Sequence, residues 1–160
     1  METTADSRPD RWDPADRGHA YAELEHPADI FVEVYGRDLP GLFENALFAL
    51  YDELAQLDGF EITSRRSITA EGSGAAEALR ALLTEALYLF SSERFVAARG
   101  KVRVETEASG EVRVNADLGG EIARGECHVL CAEVKGITYH QLSVEQQPDG
   151  SWKATVIFDV

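Results

Sequence analysis

Residues 74–104 read GAAEALRALLTEALYLFSSERFVAARGKVRV, and the hydrophobic period changes inside this stretch. Ala76, Leu79, Leu82, Leu83, Ala86, Leu87 and Phe90 recur at spacings of three and four, which makes one apolar stripe on a helix. Ser73 or Gly74 opens that helix. Beyond Arg94 the spacing drops to two: Val102 and Val104 alternate with Lys101 and Arg103. After the turn Ala108-Ser109-Gly110, Val112, Val114, Ala116 and Leu118 continue the alternation. The pattern stays at period two to the last residues. A chain that mixes strands and helices early and runs in strands late predicts an antiparallel α+β domain.

Working toward the N-terminus, a strand is predicted at about 60–71, with Arg65 and Arg66 inside it. Before it, Leu39, Leu42, Phe43, Ala46, Leu47, Leu50, Tyr51 and Leu54 form a second helical stripe. Asp38 suits its N-cap and Pro40 its first turn, where no intrahelical donor is needed. AYAELEHPADIFVEVYG reads as two short strands broken at Pro27. Toward the C-terminus, 133–146 and 151–159 read as a hairpin through Gln147-Pro148-Asp149-Gly150. The expected fold is a single α+β domain over residues 19–160, a mostly antiparallel sheet with two helices on one face. Residues 1–18 show no periodicity and read as a disordered extension.

The bulk numbers narrow the function. A chain of 160 residues with 44% apolar and 28% charged residues suits one soluble domain. No apolar run reaches bilayer length, and the N-terminus has no hydrophobic signal core, so the cytoplasm is the expected location. The net charge is −14, and residues 21–61 hold ten acids against one base, Arg37. Such a chain is unsuited to holding RNA or DNA strongly by itself, because affinity there comes from neutralising phosphates. An acidic face suits a metal ion or a basic protein.

Few residues carry a chemical signature. There is no Gly-x-Ser-x-Gly elbow, phosphate loop or dinucleotide fingerprint. Cys127, His128 and Cys131 place three soft ligands in five residues, but a structural zinc site takes four. Reduced thiols and a hydrogen-bonded His128 are the plainer reading. His26 and His140 stand beside strand ends, where acid–base chemistry or simple backbone hydrogen bonding are both open. Asp29 follows a proline bend at the start of a strand, and Asp159 closes the last one beside Val160. Asp29 could cap a turn. If strand ends converge, Asp29, Asp159 and a Val160 carboxylate would instead offer the hard oxygens that Ca²⁺ or Mg²⁺ prefers.

Two segments together resemble the archease family. His26-Pro27-Ala28-Asp29-Ile30, with Glu33-Val34-Tyr35-Gly36 and the LFENALFAL helix, is similar to its opening signature. Glu133-Val134-Lys135-Gly136-Ile137-Thr138-Tyr139-His140, then PDGSWKATVIFDV, is similar to its closing one. The resemblance spans about residues 20–160. It implies a non-catalytic activator of an RtcB-type RNA ligase in tRNA splicing and RNA repair, with no catalytic residues of its own. Such a protein promotes guanylylation of the ligase and multiple turnover, meeting GTP only through its partner. It also implies a divalent metal at Asp29, Asp159 and Val160: Ca²⁺, with Mg²⁺ or Mn²⁺ as alternatives. His26, Lys135, Tyr139 and His140 are expected neighbours of that site, Tyr139 and His140 because a simple hairpin sets them opposite Asp159. Two other readings stand beside this one: a lone metal-dependent phosphoesterase, and an interaction module in which metal only staples the last strand.

Overall fold

The computed structural model describes residues 11–25 and 28–160. Their elements run α1 (Arg17–Ala20), β1 (Tyr21–Leu24), β2 (Ile30–Gly36), α2 (Leu39–Leu54), β3 (Ser64–Gly72), α3 (Ala75–Glu93), β4 (Phe95–Thr106), β5 (Val112–Ile122), β6 (Gly136–Ile137), β7 (Ser143–Gln146) and β8 (Trp152–Asp159). The fold is α+β with antiparallel pairing throughout. The strands form two hydrogen-bonded ladders. One is ordered β1-β2-β8-β6, with β7 also on β8, and the other β3-β5-β4.

Both long helices form where their stripes require. Asp38 caps α2 by accepting the Gly41 N–H at 2.7 Å. Leu42, Phe43, Ala46, Leu47, Leu50, Tyr51 and Leu54 are then fully enclosed. Each buried leucine contributes about 2 kcal/mol by leaving water. α2 packs on both β2 and β4, so its buried face joins the two ladders, while α3 lies on β3. α3 ends at Arg94, whose left-handed backbone (φ 62°) closes the helix and starts β4. Glu44 is the acidic residue of the α2 core face, and its Oε2 accepts the Val102 N–H at 2.9 Å. β4 is an outer strand, so a buried carboxylate here satisfies a donor that no neighbouring strand can take. At the β4 bulge near Ala97, Gly120 of β5 is required: a Cβ there would lie 1.9 Å from the Val96 carbonyl oxygen.

The disordered extension expected over residues 1–18 is corrected for 11–18, while residues 1–10 lie outside the described residues. Trp12 is buried, its indole stacks on Phe48 and Tyr51, and its backbone N–H donates to the Ala98 carbonyl at 2.8 Å. Arg11 Nη2 donates to the Leu57 and Phe60 carbonyls, each at 2.9 Å. Arg17 pairs with Asp52 through two hydrogen bonds, of 2.7 and 3.0 Å. The segment is a strap across α2 and β4. Periodicity could not show it, because one indole and two guanidinium groups dock on residues that follow dozens of positions later. No helix among the described residues is long and apolar enough to cross a membrane.

Candidate functional site

β2 and β8 pair from Gly36↔Trp152 to Ile30↔Phe158 in unbroken register. The ladder stops there, with Asp29 the residue before β2 and Asp159 the last residue of β8. Asp29 is half-buried and Asp159 exposed. On the other side of β8, Gly136 pairs with Asp159, and the Lys135 N–H donates to the Asp159 carbonyl at 2.6 Å. Three sequence-distant segments thus meet at one end of the sheet: the start of β2, the end of β8 and the entry to β6.

The hairpin expected for 133–159 forms only near its turn. Ser143 pairs with Thr155, and continuing that register would bring Tyr139 opposite Asp159. Gly136 takes the position instead, a displacement of three residues. The extra residues form a loop between β6 and β7, with Gln141 at φ 56° and its carbonyl accepting the Thr155 hydroxyl at 2.6 Å. In the loop, Thr138 Oγ1 accepts the His140 N–H at 3.2 Å. His140 and Tyr139 are therefore exposed loop residues rather than strand partners of Asp159. Tyr139 is 67% exposed, yet the Arg80 guanidinium sits 3.8 Å from its ring centroid and Arg80 Nε donates to the Ile137 carbonyl at 2.8 Å. Arg80 was not identified from sequence; it lies on α3, 57 residues from Ile137, with no local signal. His26 lies outside the described residues.

Among the described residues, no group of three or more His, Cys, Asp or Glu side chains converges to hold a metal ion. The donor set at the convergent strand ends is two aspartates, hard ligands that need further oxygens to complete a Ca²⁺ or Mg²⁺ shell. The residues fit such an ion in chemical type. The soft cluster does not fit zinc. Cys127 and Cys131 are both exposed and free. His128 Nδ1 accepts the Arg124 N–H at 2.9 Å, so Nε2 carries the proton and faces Glu121 Oε1 at 3.0 Å. Its ring stacks on Phe60 at 3.9 Å between centroids. The Glu61 N–H donated to Glu121, with His128 beside it, holds that carboxyl below the usual range. His128 is a structural histidine.

A second acidic cluster stands at the C-terminal end of α2. Burial, reinforced by a hydrogen bond with Glu23, pushes the Glu53 carboxyl up to about 8. Tyr21 donates to Asp52 Oδ2 at 2.9 Å, and Arg17 supplies the neutralising charge. Asp52 and Glu53 oppose the helix dipole, and the last turn of α2 has no base. That mismatch is a signal sequence reading could have used.

The archease protein family profile matches residues 21–160. The chain belongs to the archease family. It is 36% identical to a protein archease of Archaeoglobus fulgidus, over 88% of this chain and 98% of that protein. It is 35% identical to one of Pyrococcus furiosus over the same shares. The solution structure of Methanobacterium thermoautotrophicum protein 1598 superposes with a TM-score of 0.76 at 26% identity, covering 88% of this chain and 99% of that one. The archease match takes in both strand ends that carry Asp29 and Asp159, and begins after the Trp12 strap.

Proposed function

We propose that this chain is a non-catalytic activator of an RtcB-type RNA ligase, acting in the cytoplasm on tRNA splicing and RNA repair. A divalent cation is held by Asp29 and Asp159, with the Val160 carboxylate as a third donor. The observation that supports this reading is the β2–β8 register, whose last pair, Ile30↔Phe158, leaves the two aspartates of the archease signatures at the same end of the sheet. A hard cation there neutralises negative charge, which is what phosphoryl transfer to the ligase requires. Around it the protein's own residues do three things. The aspartates fix the ion's place, the β6 ladder holds Lys135 beside Asp159, and the acidic surface favours a basic partner over free RNA.

The test mixes the protein with a cognate ligase, GTP and Mn²⁺ and measures ligase–GMP formation. The wild type should accelerate guanylylation and sustain multiple turnovers. Asp29→Asn and Asp159→Asn, which keep shape and remove one charge, should lose most of that effect and bind Ca²⁺ more weakly by calorimetry. Full activation by Asp159→Asn at limiting metal would sink the metal-dependent reading, and no acceleration by the wild type would sink the ligase reading.

A further inference from the structure

A cavity of about 940 Å³ opens at the other end of the β2–β8 pair, where Gly36 faces Trp152. It lies six residue steps, roughly 20 Å, from the Ile30↔Phe158 end that carries the aspartates. One wall is the strap, from Trp12 to Asp16; another is the first turns of α2. Trp12 and Trp152 are the chain's two tryptophans, and both line this cavity. The strap wall precedes the segment matched to the archease family, residues 21–160.

The lining is acidic. Asp13, Asp16, Asp38 and Glu44 face two bases, Arg37 and Lys153, and Lys153 Nζ is already 3.6 Å from Glu33 Oε2. A helix start could attract an anion, but the Asp38 carboxylate occupies the Gly41 N–H of α2. Asp13 likewise takes the Ala15 N–H of the strap at 3.0 Å. The half-buried Trp152 indole beside carboxylates is the chemistry that holds a guanidinium or ammonium group on an apolar stem, with buried Trp12 as the floor behind the strap. The volume exceeds a single such group and admits a few residues of peptide. From this juxtaposition we infer that the strap cavity is a binding site for organic cations, with an arginine-bearing segment of a basic protein as its ligand.

Intrinsic fluorescence tests this directly, because both indoles line the cavity. The full chain is titrated separately with acetyl-Ala-Arg-Arg-Ala-amide, with spermidine and with acetyl-Ala-Glu-Glu-Ala-amide. The arginine peptide should give a saturable change below about 10 mM, and the glutamate peptide none. Asp16→Lys, at an exposed position, should weaken the arginine peptide roughly tenfold with melting unchanged. Asp16→Asn, which removes the charge and keeps the shape, should weaken it less and serves if the lysine variant folds poorly. Saturation by spermidine but not by the arginine peptide would overturn the peptide assignment in favour of a free polyamine. An equal response to the glutamate peptide, no saturable response to either cation, or indifference to both Asp16 variants would overturn the site itself.

Discussion

Replacing Trp12 by alanine asks whether the strap is part of the folded domain. A buried tryptophan removes about 200 Å² of surface from water, a gross gain of about 5 kcal/mol. Truncating a buried tryptophan typically costs about 3–5 kcal/mol. For a domain of this size each kcal/mol moves the midpoint by about 2–4 °C, so Trp12→Ala should melt roughly 6–20 °C lower. The loss is bounded by what the whole strap contributes, since a strap without its indole can detach. Truncation to residue 19 measures that bound, and Trp12→Ala should not exceed it. Gly100 supplies an independent check. A Cβ there would sit 2.8 Å from Trp12 Cζ2 and 3.2 Å from Leu118 Cδ2. Gly100→Ala should therefore destabilise the full chain more than the truncated one, with a coupling of about 0.5–3 kcal/mol. Thermal melts of the four proteins complete the cycle. A Trp12→Ala midpoint within about 2 °C of wild type, or a Gly100→Ala cost identical with and without the strap, would refute the docking.

Three further outcomes follow from other contacts. The Glu53 carboxyl is raised to about 8 in the fold, so the native state binds more protons than the unfolded chain between about pH 4.5 and 8. Its contribution is complete below that window and lost as pH rises through it; Glu53→Gln should flatten the decline in urea-measured stability, and an unchanged slope would refute the buried proton. His128→Ala removes a ring with both nitrogens bonded and a face stacked on Phe60, and should cost roughly 2–4 kcal/mol, while a zinc-selective chelator leaves the wild-type midpoint where it was; a drop with that chelator that is absent in His128→Ala would restore the zinc reading. Gly120→Ala forces a Cβ against the Val96 carbonyl and should abolish soluble expression or cost about 3 kcal/mol or more, lowering the midpoint by at least roughly 6–12 °C; a near-wild-type melt would mean the bulge relaxes.

Much of this molecule was legible in order along the chain. The stripes from Leu39 to Leu54 and Ala76 to Phe90 formed helices, and the alternations of β2, β5 and β8 formed strands, because each rests on a period that needs only local sequence. The archease signatures likewise lie in short runs around Asp29 and Asp159. Tertiary structure decided what depends on pairing across distance. The loop at 138–142 shifted Asp159 from Tyr139 to Gly136, because a β-ladder can absorb residues wherever a turn satisfies their backbone groups. The division into two ladders, with α2 packed on both, rests on pairings and contacts that no periodicity encodes. Trp12 and Arg17 read as tail residues and became anchors, since a lone indole or guanidinium has meaning only once Phe48, Tyr51 and Asp52 stand on one helix to receive it.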